Sequence, residues 1–239
     1  RQSPTDDWQI LHPEEVLVGR AVTSRWVPIR PDVQLAVEGL GKLEGRIGGQ
    51  NSWVIDELME GDVIVVDLFG KVRDGTFAGD NLATAIASKS KRGMVIDGGI
   101  RDTQRIREIP DFGAFVRGFD PTAINDVTQI DINGVIRIGK ATCIPGDVVL
   151  GTVTGVIFIP PHLAKEVVES SENIRKRDRF GQQRFANCRG ESCDNQDPVE
   201  GNAHATATAS VLLGDITQGQ HSENFSVESN GARKRSGVA

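Results

Sequence analysis

The stretch GTFAGDNLATAIASKSKRGMVIDGGIRD, residues 75–102, decides the fold. A polar, glycine-bearing loop opens a helix, and NLATAIASKSK (81–91) sets Leu82, Ile86 and nearby alanines on one face at helical spacing, with Gly93 as the stop. GMVID (93–97) then reads as a short buried strand, and Gly98-Gly99 as a turn that delivers Arg101 and Asp102 side by side at the start of the next helix. Outward from this stretch the same text recurs. DVIVVDL (62–68), AFVR (114–117), VIRI (135–138), DVVL (147–150) and TGVIFI (154–159) read as strands rich in Val and Ile. A short helix over 103–109 ends at Pro110, and a longer one over 162–179 follows Pro160-Pro161 and turns basic in its last turns, where cations suit the helix dipole. Strands and helices mixed in this order predict an α/β protein with a mixed β-sheet core flanked by helices. Periodicity leaves the strand order open.

The ends differ from this middle. Residues 1–31, interrupted by Pro4, Pro13, Pro28 and Pro31, read as a lead-in that packs on the domain and carries one short strand, AVTSRWVP (21–28). The domain itself spans 32–186. Residues 187–239 are dominated by Gly, Ser, Thr, Asn and Gln, with Val211-Leu212-Leu213 the one apolar cluster. Such a segment cannot bury enough surface to offset its ordering entropy, so a disordered tail is expected, and limited proteolysis near residue 187 should leave a folded core. A chain of 239 residues with 38% apolar and 25% charged residues fits one large domain with appendages.

Composition narrows the function. A net charge of -6 and only 5% aromatics, with no Tyr, argue against nucleic-acid binding by either a basic surface or stacking platforms. The closing Arg233-Lys234-Arg235 reads as a solvated end. No apolar run approaches membrane-spanning length and residues 1–9 lack a signal-peptide core, so no membrane contact and a cytoplasmic location are expected. Cys143, Cys188 and Cys193 form no CxxC pair, which argues against a thiolate zinc site and fits a reducing compartment. The phosphate-binding, zincin and serine-hydrolase signatures are missing, and His12, His162, His204 and His221 are scattered singly.

Two features remain. Gly79-Asp80-Asn81-Leu82 lies where a loop becomes a helix, a place whose free N–H groups favour an anion, although Asp80 there is more simply a helix cap. Arg101-Asp102 follows a strand end, where clefts in α/β sheets open, although an adjacent Arg and Asp are more often an ion pair or a cap. Twenty positions separate Asp80 from Arg101.

That spacing, with GDNLA and DGGIRD around it, resembles the RraA-like family of ribonuclease regulators and class II pyruvate aldolases. The resemblance continues through Val116-Arg117-Gly118, Pro145-Gly146-Asp147, Gly155-Val156-Ile157 and Ile159-Pro160, and covers residues 21–185. It implies a swivelling β/β/α-type domain. Within the family the aldolase branch keeps Asp after Arg at this spacing and the regulators do not, so Arg101-Asp102 favours the enzyme over a non-catalytic regulator of an RNA-processing enzyme. Carried over by position, the resemblance implies that Asp102 holds Mg2+ or Mn2+, Arg101 binds the keto-acid end, and the amides of Gly79, Asp80, Asn81 and Leu82 hold the carboxylate. A hard cation that keeps several waters needs only one or two carboxylates, which agrees. The implied reaction is cleavage of a 4-hydroxy-2-oxo acid to pyruvate, with oxaloacetate decarboxylation on the side. The implied assembly is a homotrimer or hexamer in which a neighbour supplies an acidic residue, for which Glu172 and Asp178 are the candidates.

Overall fold

The computed structural model describes residues 8–187. The expected disordered tail lies outside the described residues. In chain order the elements are β1 (Gln9–Ile10), β2 (Leu17–Pro28), α1 (Pro31–Leu43), α2 (Gln50–Asp56), β3 (Asp62–Lys71), α3 (Asp80–Ser90), β4 (Gly93–Ile100), α4 (Thr103–Ile106), β5 (Gly113–Phe119), β6 (Val127–Ile132), β7 (Ile136–Ile138), β8 (Ala141–Cys143), β9 (Val148–Thr152), β10 (Gly155–Ile159) and α5 (Pro161–Asn187).

Eight strands form one mixed sheet in the order β1-β5-β4-β3-β2-β9-β10, with β6 also on β2, and β7-β8 make a separate hairpin. Strands β2, β3, β4 and β5 are parallel. This is the expected α/β fold with a mixed β-sheet core flanked by helices.

Parallel strands covered on both faces read as continuous apolar runs, and β3 obeys: Val63, Ile64, Val65 and Val66 are all fully buried. Alternate residues serve different cores. Ile64, Val66, Met94, Ile96 and Val116 pack with Phe77, Ala83 and Ile86 on the side of α2 and α3. Val63, Val65, Val95 and Phe115 face the other way, onto Leu17, Ile136, Ile138, Val149 and Val156.

Three sequence expectations change. The strand placed over 21–28 begins at Leu17 and lies inside the sheet, pairing with β3 along one edge and with β9 and then β6 along the other. Residues before 32 therefore build the core rather than pack on it as a lead-in. Gly98-Gly99 is no turn; both glycines lie within β4. A Cβ on Gly98 would fall 2.8 Å from the Leu68 side chain and one on Gly99 would fall 2.9 Å from the Val72 carbonyl oxygen. Close approach requires glycine at both positions. The last helix runs to Asn187, well past the expected 179.

Two carboxylates fasten the β7-β8 hairpin to the sheet. Asp97 accepts from Arg117 Nε at 2.6 Å and from the Gly139 N–H at 2.7 Å. Its neighbour in register, Asp67, accepts from the N–H groups of Phe69 at 3.0 Å and Arg137 at 3.3 Å. Burial, with a smaller push from Asp97, raises the Asp67 pKa despite those N–H donors and the Arg137 charge. Above the ordinary carboxylate value the folded state then retains a proton that the unfolded chain has released. Stability tied to Asp67 falls as pH rises through that window, and the ionised side chain is a cost at neutral pH. Lowering the pH from about 7 to about 4.5 should shift the unfolding free-energy difference between wild type and Asp67→Asn toward wild type. A pH-independent difference in denaturant titrations would refute this.

Candidate functional site

The site is built where β4 ends. The segment before α3 runs beside that end: the Phe77 N–H donates to the Gly99 carbonyl at 2.8 Å, the Arg101 N–H donates to the Ala78 carbonyl at 3.0 Å, and Ala78 bridges Ile100 in parallel. This pairing brings Gly79 against Arg101 and Asp102. A Cβ on Gly79 would lie 2.3 Å from Asp102 Oδ2 and 2.9 Å from Arg101 Nε, so a side chain there would displace both groups.

Asp102 sits in the left-handed region at φ 54° and precedes α4 without capping it through its side chain. An L-residue holds this conformation at a cost of about 1 kcal/mol, which Asp bears better than most. Its Oδ2 lies 3.4 Å from Arg101 Nε, and its side chain is half exposed. Arg101 also donates through Nη1 to Thr76 Oγ1 at 3.4 Å. Thr76 is fully buried and donates in turn to the Thr122 carbonyl at 2.5 Å. The guanidinium is thus held between Asp102 and Thr76, with the side chain 28% exposed.

Asp80 is the first residue of α3, and Gly79 is the N-cap, so the expected capping role is corrected. The Asp80 Oδ1 instead accepts from the Asn81 N–H at 2.8 Å, and its Oδ2 lies 3.5 Å from Arg105. The Asn81 amide is therefore already engaged, while Leu82 leans on the apolar core. Asp80, Asp102, Thr103, Gln104 and Arg105 line one open depression of about 620 Å³. No lysine lines it.

The structure therefore brings Gly79, Asp80, Arg101 and Asp102 together. Glu172 and Asp178 do not line the depression. Thr76 and Arg105 were not foreseen: nothing in the pattern marks a buried threonine in a polar loop, and Arg105 read as one more residue of a helix. Among the described residues no group of three His, Cys, Asp or Glu converges. The free cysteine described, Cys143, is buried, and burial raises its pKa far above the ordinary thiol value, so it is no nucleophile. A separate cleft of about 430 Å³ beside Trp26 and Trp53 contains Arg46, whose guanidinium is held by Glu44 and Glu57, and lies apart from Asp102.

Residues 1–158 match the model of a family described as RraA-like: Aldolase/RraA. The chain belongs to the RraA-like family. A protein of Halalkalibacterium halodurans, provisionally named a 4-hydroxy-4-methyl-2-oxoglutarate aldolase, is 30% identical over 66% of this chain and 74% of its own length. A Thermus thermophilus protein named 4-hydroxy-4-methyl-2-oxoglutarate aldolase is 27% identical over 45% of this chain and 64% of its own. An uncharacterized protein of Methanocaldococcus jannaschii is 31% identical over 48% of this chain, and the match spans 56% of that relative's length. Among solved structures, Streptomyces coelicolor RraAS2, described as an unusual member of the RNase ES inhibitor RraA protein family, superposes with a TM-score of 0.63. It is 26% identical, over 77% of this chain and 86% of its own. The match beginning at residue 1 agrees with the placement of β2 inside the sheet.

Proposed function

We propose that this RraA-like protein is a divalent-metal-dependent aldolase that cleaves a 4-hydroxy-2-oxo acid to pyruvate and a second carbonyl compound. The observation that carries the reading is the close approach of Gly79 to Arg101 and Asp102, with Asp102 and Asp80 lining an open depression beside them. The names of the Halalkalibacterium and Thermus relatives support the same class.

In the reaction the C3–C4 bond breaks, the C4 hydroxyl gives up its proton to become a carbonyl, and the electron pair passes to C3 and the C2 oxygen. Protonation at C3 then yields pyruvate. Arg101 presents a planar fork that engages a carboxylate and the C2 oxygen together, and its Thr76 tether fixes its direction. The donor set fits Mg2+ or Mn2+: Asp102, with Asp80 across the same depression, offers carboxylate oxygens of the kind a hard cation takes when it keeps several waters. Such an ion would supply Lewis acidity toward the charge that develops on the C2 oxygen. The amides of Gly79, Asp80 and Leu82 at the start of α3 remain for the substrate carboxylate, and Gly79 lets that group approach the backbone. Oxaloacetate passes through the same electron flow on losing carbon dioxide, so decarboxylation accompanies the main activity.

The RraAS2 likeness favours one other reading, a non-catalytic regulator of an RNA-processing enzyme. A single assay separates them: pyruvate release from a panel of 4-hydroxy-2-oxo acids with and without magnesium. Magnesium-dependent release from at least one acid is expected; none from any, with magnesium or manganese, would leave the regulator. In the same assay Arg101→Lys should lower kcat/KM roughly 10- to 100-fold, because an ammonium is a point charge without the fork. Unchanged efficiency would reduce Arg101 to a structural partner of Asp102. No helix among the described residues is long and apolar enough to cross a membrane. A cytoplasmic location and assembly in threes, with the depression beside a neighbour, belong to this proposal.

A further inference from the structure

Arg105 stands in the candidate site, and the proposed chemistry gives it no task. It is the third residue of α4, whose start is fixed by two bonds: the Arg105 and Ile106 N–H groups both donate to the Asp102 carbonyl, at 3.1 and 3.3 Å. Ile106 is fully buried in the core and pins the turn. The backbone of Arg105 is therefore placed, while its side chain is 76% exposed on the wall of the depression. Its ion-pair partner among the described residues is Asp80, with Nη1 and Oδ2 3.5 Å apart. A pair that long and that exposed is weak beside a close two-pronged grip of guanidinium on carboxylate, and it exchanges easily.

The charges here come in two couples. Arg101 faces Asp102 at 3.4 Å, and Arg105 faces Asp80 at 3.5 Å. Two guanidiniums and two carboxylates balance, so the set is neutral as it stands. The proposed function turns both carboxylates toward a divalent cation, and a dication on a balanced set leaves two positive charges over. A keto-acid end brings one negative charge, to Arg101. The charge left over is that of Arg105, and only an acid with another anionic group further along answers it. Of the two guanidiniums Arg105 alone lines the depression, so the two address different parts of one ligand.

We propose that Arg105 is the specificity-determining residue for the part of the substrate beyond C4: it leaves Asp80 and takes an anionic group there, a carboxylate in the simplest case. This role rests on the aldolase reading of the site and adds the contact that reading leaves open. Arginine suits it, being charged at every working pH and shaped to hold a carboxylate by two parallel bonds. The exchange has two sides. Arg105 competes with a cation for Asp80 when the acid is absent, and serves the acid when both are present.

The test is binding of two acids of equal length that lack a 4-hydroxyl and so cannot be cleaved: 2-oxoglutarate, with a second carboxylate, and 2-oxopentanoate, without it. In calorimetry of the full chain with saturating manganese, the wild type should hold 2-oxoglutarate roughly five- to tenfold more tightly, and Arg105→Gln should bring the two acids level. Arg107→Gln, which removes a cation from the same short segment outside the depression, should keep the preference. Without acid, water-proton relaxation should show Mn2+ held about two- to threefold more tightly by Arg105→Gln, because Asp80 has lost its competitor. A merely structural arginine would give no such gain. A preference that survives in Arg105→Gln or falls equally in Arg107→Gln, or Mn2+ binding that is unchanged or weakened in Arg105→Gln, would overturn the proposal while leaving pyruvate release by the wild type as it is. Binding of neither acid by the wild type would sink the oxo-acid reading and this one together. An Arg105-dependent preference in a protein that releases no pyruvate would uphold the contact and sink cleavage alone.

Discussion

Asp102→Asn is expected to lower magnesium-dependent pyruvate release roughly a thousandfold while leaving the thermal melt unchanged. Asparagine is the sharper substitution than alanine because the position has φ 54°. Asn tolerates the left-handed region, whereas Ala would add a backbone penalty of about 1 kcal/mol and confuse lost chemistry with lost order. Asn keeps the shape and one oxygen but removes the negative charge that faces Arg101 Nε at 3.4 Å and that a divalent cation requires. Near-normal turnover at saturating magnesium would remove Asp102 from the metal and send the assignment to Asp80. Lost turnover with a lowered melt would show the pair to be structural as well.

The second large effect concerns the sheet. Gly93 opens β4 directly opposite Gly113 of β5, and a Cβ there would lie 2.0 Å from the Gly113 carbonyl oxygen and 2.8 Å from its carbonyl carbon. Both obstacles are backbone, so no side chain can rotate away. Gly93→Ala must spread two parallel strands where both are buried, at a cost of about 3 kcal/mol or more, a large share of the roughly 5–15 kcal/mol that holds a domain folded. The melting temperature should fall by at least about 6 °C. A change under about 2 °C by circular dichroism would show that β4 and β5 separate freely at that end.

Arg101 and Asp102 were legible in the sequence because their signal is local. A helix of the right period, a buried strand and two chemistry-bearing residues follow one another without a gap, and the pairing of residues 77–79 with the end of β4 closes them into a site. The same stretch misled at Gly98-Gly99, since two glycines mark either a turn or a close approach. Only the positions of Leu68 and Val72, distant in the chain's text, decide between those meanings. Helices α1 and α2 were not foreseen. Gly39 and Gly41 interrupt α1, and its Leu35, Leu40 and Leu43 point to solvent, so no clean stripe survives. Gly41 is there because the Trp53 ring lies 2.4 Å from where its Cβ would be. The end of α5 was missed for the opposite reason: past 179 nothing stops the helix, and the basic residues up to 179 already suit a helix's last turns. Strand β2 was underrated because prolines surround it and its partners are remote.

That remoteness bears on how the chain reaches its fold. Leu17 pairs with Gly151 and Ser24 with Ile132, so the second edge of β2 has no partner until most of the chain has left the ribosome. Its first edge can close earlier, when Asp62 to Asp67 arrive opposite Arg20 to Arg25. During synthesis the nascent sheet therefore grows from β2 toward β5 with one flank bare, a template on which another nascent chain can add a strand. The late strands divide that flank between them, β9 taking Leu17 to Arg20 and β6 taking Ser24 to Pro28. Closing the sheet is thus the work of the last third of the described chain, although the residues of the candidate site are in place long before.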